Sequence, residues 1–178
     1  MKLADSTIKQ LIKRGTIKIT PSPDLDKIQG VTVPLHLGNE FIDIKEMPDE
    51  IIYPEEPVTK TLFEKEICDV YYDLLPGSLT LAITNETIEL HNNQILARLD
   101  GRSKLARLGI SVHITAHRID PGFSGKIVLE IFNCSKNTIR LKVGSEIGAL
   151  LFEEITGRVE KPYIQKNNSY VNQSGVCL

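Results

Sequence analysis

The residues able to do chemistry concentrate between Asp100 and Asn133. Arg102, Ser103 and Arg107 follow a strand-like run. Guanidinium forks bind phosphate through two bonds at once, and a serine hydroxyl adds a donor. Spacing alone leaves a solvated surface with incidental arginines equally open. Arg118 and Asp120 precede a Pro121-Gly122 turn, and Glu130 interrupts the otherwise apolar run Ile127–Phe132. Strand alternation puts Val128, Glu130 and Phe132 on one face. A carboxylate there stands either at a wet sheet edge or in a partly desolvated site, where it accepts protons more readily. Cations and hydroxyls for phosphate, with a carboxylate for proton transfer, point to a nucleotide enzyme.

The motifs that are missing narrow the chemistry. There is no G-x-x-x-x-G-K-[ST] phosphate loop and no G-x-G-x-x-G fingerprint. Zinc nucleobase deaminases need H-x-E and P-C-x-x-C. None of His36, His91, His113 or His117 is followed two positions later by Glu, and no two cysteines are close. His113 and His117 lie four apart, on one face of an expected strand. Two histidines without a third ligand make a poor zinc site, so a structural or hydrogen-bonding role is the simpler reading.

These residues need a scaffold, and short strands supply most of it. Residues 5–14 read as a helix capped by Asp5 or Ser6, with Ile8, Leu11 and Ile12 on one face and Gly15 at its end. Val31, Val33, Leu35 and Leu37 alternate as a strand, with Pro34 marking an edge or irregularity. Residues 46–60 read as an acidic loop punctuated by prolines. Further strands are expected at 79–83, 95–99, 127–132, 139–143 and 147–152. Residues 103–109 form one short helix carrying Leu105 and Leu108. Many close-spaced strands with one or two short helices indicate a mainly β fold, a sandwich or barrel. Residues 165–175 are polar and read as a mobile tail.

At 178 residues the chain is most simply one domain, 1–178, with a sizeable core. Its 41% apolar and 25% charged residues are ordinary for a soluble globular protein. A net charge of −2 argues against a nucleic-acid or membrane binder, so any polyanion must meet a local cluster of cations. Three scattered cysteines make no disulfide framework. With no signal-peptide core and no membrane-length apolar run, a cytoplasmic location is expected.

Taken together, D-G-R-S-x-L-A-R-L-G (100–109), T-A-H-R-I-D-P-G-F-S-G (115–125), V-L-E (128–130), I-G-A-L-L-F-E (147–153) and Y-V-N-Q-S-G (170–175) resemble the dCTP deaminases of the dUTPase-like superfamily. Leu3-Ala4-Asp5, H-L-G-N-E-F (36–41) and P-G-S-L-T-L-A-I-T (76–84) fit the same pattern. The resemblance implies a dUTPase-like distorted β-sandwich or barrel and a homotrimer with sites between subunits. It implies hydrolysis of dCTP to dUTP and ammonia, supplying dUTP for thymidylate synthesis, with Mg²⁺ carried on the triphosphate, no zinc, and feedback inhibition by dTTP. Glu130 takes the role of catalytic carboxylate. Arg102, Ser103, Lys104, Leu105, Ala106 and Arg107 become the nucleotide-binding segment, with Ser103 and Arg107 near the chemistry. The Ala116 carbonyl helps hold the attacking water, Arg118 supports the site, and Asp120 faces the deoxyribose. Val128 and Leu129 frame the cytosine. Tyr163, Ser169 and Gln173 belong to the C-terminal region that reaches the nucleotide, with residues 165–178 closing over it. The chain departs from the family at Lys104, where a second Ser is usual, at Phe123, where Trp is common, and at Ser169, where Lys is common.

Without zinc ligands, a carboxylate must do the proton work. Glu130 would take a proton from water as C4 is attacked, then deliver protons to N3 and the departing amine, one group serving in sequential steps. Two alternatives stand beside this. One is a dUTPase or a bifunctional enzyme that carries dUTP on to dUMP and pyrophosphate. The other is a non-enzymatic nucleotide sensor or trimeric scaffold. His117 and Arg118 stand where the two-activity enzymes carry small or amide residues, which favours a single activity.

Overall fold

The computed structural model describes residues 1–45, 47, 51–53, 55, 62–165 and 172–176. The expected loop at 46–60 therefore lies mostly outside the described residues, as does 166–171 of the expected tail. Helix α1 (Asp5–Lys13) leads into strands β1 (Ile17–Thr20), β2 (Thr32–Ile44), β3 (Phe63–Ile67), β4 (Tyr71–Leu74), β5 (Leu79–Leu90) and β6 (Ile95–Gly101). A short helix α2 (Ser103–Arg107) follows, then β7 (Ile110–Ser111), β8 (Arg118–Ile119), β9 (Ser124–Asn133), β10 (Ile139–Lys142) and β11 (Glu146–Glu154). The protein is mostly β with two helices, as its strand periodicity requires.

One antiparallel sheet runs in the order β7-β9-β5-β2-β11-β6-β8, with β1 added to β5 and β3 added to β2. β10 and β4 form a separate pair. Two long strands curl the sheet. The register of β2 against β5 shifts between Leu37 and Phe41, and that of β5 against β9 shifts between Ile83 and Thr87. Such irregularities bend a strand and increase its twist. Backbones approach closely at this bend. A Cβ at Gly38 would stand 2.8 Å from both Ile83 Cγ2 and the Ile83 carbonyl oxygen, so only glycine fits.

Alternation along the strands fills the concave side. Val33, Leu35, Leu37 and Phe41 of β2 are fully buried, with Ile88 of β5, Leu129 of β9 and Phe152 of β11. Burying a side chain of this size contributes about 1.5–3 kcal/mol. Ile8 of α1 closes one end of this core. Pro34 lies opposite Ala149 of β11. One buried acid interrupts the apolar interior. Glu86, 5% exposed, accepts the His36 N–H at 2.9 Å and bonds His36 Nδ1 at 2.5 Å. Without that partner the buried charge would be costly.

Three expectations need correction. Ala4, not Asp5 or Ser6, is the N-cap of α1, and it makes no side-chain cap. Asp5 instead lies in the first turn, where its carboxylate accepts the Ser6 N–H at 2.8 Å. Strands β1, β3 and β4 had no counterpart in the reading of periodicity. The segment from Val112 to His117 is a bent loop between β7 and β8, not a strand. Its Ile114 N–H goes to a side chain instead of a ladder partner.

Candidate active site

The alternation of β9 delivers Glu130. Ile127, Leu129 and Ile131 turn into the core, while Val128, Glu130 and Phe132 are half-buried on the other face. Glu130 lies opposite Leu81 of β5 in the register. The Ile114 N–H donates to Glu130 Oε2 at 2.8 Å. Among the described residues Glu130 makes no other hydrogen bond, which leaves Oε1 available to a ligand.

Glu130 opens onto a cavity of about 400 Å³. Ala116, Arg118 and Asp120 line it from the β7–β8 loop and β8, and Val128 lines it from β9. Tyr163 and Gln173 close it from the C-terminal region. Seven residues expected at the site, Glu130 among them, thus share one cavity. Arg118 Nε lies 2.9 Å from Asp120 Oδ1. The ring of Tyr163 meets that of Phe123 at 5.4 Å, and its N–H donates to the Pro121 carbonyl at 2.8 Å.

Gln173 is fixed by β9. The Lys126 N–H donates to the Gln173 carbonyl and Gln173 Nε2 donates to the Lys126 carbonyl, each at 2.9 Å. Gly125 permits this approach. Its φ is +147°, and a Cβ there would stand 2.9 Å from the Gln173 oxygen.

The other expected residues lie elsewhere. Ser103, Lys104, Leu105, Ala106 and Arg107 form α2, no residue of which lines the cavity. Ser103, Lys104, Ala106 and Arg107 are exposed. Arg102 is ion-paired with Glu146. Leu129 is wholly buried and does not line the cavity. Ser169 lies outside the described residues. Leu81, Ile119 and Ile127 supply apolar lining that motif reading did not single out. The alternation of Leu79, Leu81 and Ile83 was the signal for the first of them.

His113 and His117 stand with ring centroids 5.1 Å apart. Among the described residues, no three of His, Cys, Asp or Glu converge as a metal site. A larger cleft of about 790 Å³ includes Asp43, Tyr72, Asp73 and Arg140 in its lining. Its polar groups are already engaged. Arg140 holds Asp73 through two 2.7 Å bonds, and Asp43 accepts from Tyr72 and Thr80. Burial, then the bond to Asp43, pushes the Tyr72 hydroxyl well above its ordinary range. The smaller cavity is the chemically better equipped of the two.

Comparison with known proteins shows the family. Residues 2–155 match the family described as dCTP deaminase-like. The dCTP deaminase of Pseudoalteromonas atlantica is 45% identical over 185 residues, covering 98% of this chain and 92% of the relative. That of Glaesserella parasuis is 44% identical over 188 residues, covering 100% and 96%. Among solved structures, 2'-deoxycytidine 5'-triphosphate deaminase from Agrobacterium tumefaciens superposes with a TM-score of 0.65 at 21% identity. That likeness, of fold alone, covers 85% of this chain and 47% of the other.

Proposed function

The chain belongs to the dCTP deaminase-like family, and on that premise we propose that it hydrolyses dCTP to dUTP and ammonia. The observation that carries this reading is the cavity itself. One carboxylate, oriented by a backbone N–H, opens onto a pocket with apolar walls and a polar rim. Such a site suits a flat base on an anionic sugar phosphate.

In the proposed reaction the Ala116 carbonyl and Glu130 Oε1 hold a water against C4 of the cytosine. Glu130 takes its proton as the oxygen attacks. It passes that proton to N3, then takes the second proton from the C4 hydroxyl as the carbonyl forms and gives it to the departing amine, which leaves as ammonia. Positioned acid–base catalysis of this kind contributes about 10²–10⁴-fold. Orientation by the Ile114 N–H and the Ala116 carbonyl supplies more, because neither group must reorganise during reaction. Val128 and Leu81 flank the base, and Asp120 faces the sugar. No zinc takes part, and Mg²⁺ enters as part of the substrate, on its phosphates.

The triphosphate is bound by Arg102, Ser103, Lys104 and Arg107 of a neighbouring copy. Because α2 lies outside the Glu130 cavity of its own chain, the proposed site is completed between subunits of a homotrimer. dTTP would compete for the same phosphate contacts. Residues 165–178 complete the closure over the nucleotide.

The Arg118–Asp120 ion pair favours a single activity. At 2.9 Å from Arg118 Nε, the Asp120 carboxylate is held as a charge partner rather than aimed at a second water. Ammonia release from dCTP, followed with phosphorus NMR, tests the proposal. Ammonia with an intact triphosphate product is expected. Pyrophosphate appearing in step with ammonia would establish the bifunctional alternative, and no ammonia would leave a binding protein.

A further inference from the structure

The bent loop that carries Ala116 is tied down from behind. Arg98 of β6 sits opposite Arg118 of β8, and the Leu99 N–H donates to the His117 carbonyl at 2.8 Å. Arg98 Nη2 lies 2.7 Å from His117 Nε2. A guanidinium can only donate, so His117 Nε2 must be the acceptor. The ring proton is therefore on Nδ1, which lies 3.2 Å from the Thr115 carbonyl. The neutral ring thus spans Ala116, bonded to Thr115 on one side of it and covalently part of His117 on the other. Arg98 is anchored in turn. Its Nη1 lies 3.9 Å from Glu153 Oε1, a buried oxygen with no hydrogen-bond partner among the described residues.

We propose that Arg98 and His117 are positioning residues: Arg98 fixes the Nδ1–H form of His117, and that ring holds the Thr115–His117 backbone in place against Glu130. Neither side chain touches the reacting atoms in this scheme. They act on the loop that presents both the Ile114 N–H and the Ala116 carbonyl to the Glu130 cavity. The proposal rests on the reading of Glu130 as the proton-transferring group. It assigns work to Arg98 that no phosphate or base contact requires. It also explains why a second cation is tolerated directly across from Arg118, since like charges in that position repel unless each has its own partner. Here Asp120 takes Arg118, while His117 and Glu153 take Arg98.

The test is to compare Arg98→Met, His117→Phe and the double variant by steady-state kinetics on dCTP. Nitrogen-15 NMR of the His117 ring in the wild-type protein and in Arg98→Met runs alongside. The expected result is kcat lowered at least tenfold in each single variant, with KM within threefold. The double variant should be no slower than the worse single one, because the two residues act as a unit. The wild-type ring should show a protonated Nδ1 and an acceptor Nε2, and Arg98→Met should lose that fixed form. Unchanged kcat in both single variants, or a raised KM with unchanged kcat, overturns the proposal. So does a wild-type ring protonated on Nε2, a result that holds even where a variant fails to fold. If Glu130→Gln proves active, the reading of Glu130 fails separately, while the ring spectra still decide whether Arg98 sets the His117 form.

Discussion

The backbone N–H of Ile114 donates to Glu130 Oε2 at 2.8 Å, joining a loop residue to a strand residue sixteen positions away. This bond takes one carboxylate oxygen and fixes the direction of the other. It also explains the loop, since an N–H committed to a side chain cannot enter a ladder. Shortening the acid should therefore do more than move a charge. Glu130→Asp removes one methylene, draws the carboxylate away from Ile114 and from the substrate, and should lower kcat by about 10²-fold or more. Steady-state rates on dCTP, with binding of the nucleotide measured by calorimetry, check this. A kcat within threefold of wild type would show that the reach of Glu130 is not critical.

Arg107 and Glu130 are expected to meet only across a subunit interface. Glu130→Gln and Arg107→Ala should each be nearly inactive alone. Mixed after partial denaturation and reassembly, they should recover activity, because some sites then pair an intact Glu130 with an intact Arg107. Random mixing at equal amounts restores about a quarter of the sites in a ring of three. Recovery that stays at the sum of the two parents would show that both residues serve the same chain.

Gly38 marks the tightest approach in the curl of the sheet. Gly38→Ala places a carbon 2.8 Å from a backbone oxygen, which cannot yield as a flexible side chain would. Overpacking of this kind costs about 1–3 kcal/mol. Urea denaturation should show a lower midpoint with an unchanged slope. A midpoint equal to that of the wild type would mean that the bend is looser than described.

The thiols offer a check on burial. Cys68 is 7% exposed, and burial first, then its bond to Glu66, pushes the thiol up to about 11. A raised value keeps the group protonated, and so unreactive, until the pH approaches that figure. Cys134 is exposed, with its thiol donating to the Gly109 carbonyl at 3.0 Å. Iodoacetamide at pH 8 should modify Cys134 and spare Cys68, as read by peptide mass mapping. Equal labelling of the two would contradict the packing around β4.

Much of the site could be read from residue order, and the reasons differ by residue. The face shared by Val128, Glu130 and Phe132 follows from strand alternation, and all three are half-buried together. Tyr163 and Gln173 came from resemblance, and both line the Glu130 cavity. Val128 and Leu129 came together from resemblance, but neighbours on a strand face opposite ways, and the Leu129 side chain is in the core. The separation of α2 from Glu130 is a tertiary fact with no local signal. Strand β3, F-E-K-E-I, was missed because its charges mask a strand pattern. Such charges are what an edge strand needs to resist pairing with another chain. The loop at 112–117 alternates like a strand, but the competing bond from Ile114 to Glu130 is long-range and cannot be seen locally.

The most direct test of the account is ammonia release from dCTP by the wild-type protein and by Glu130→Gln, at saturating dCTP with Mg²⁺. The amide keeps the volume of the side chain and removes the proton acceptor. The account predicts ammonia and dUTP from the wild type, and loss of at least 10²-fold in turnover for the variant, with nucleotide binding retained. Turnover by Glu130→Gln within tenfold of the wild type would contradict it.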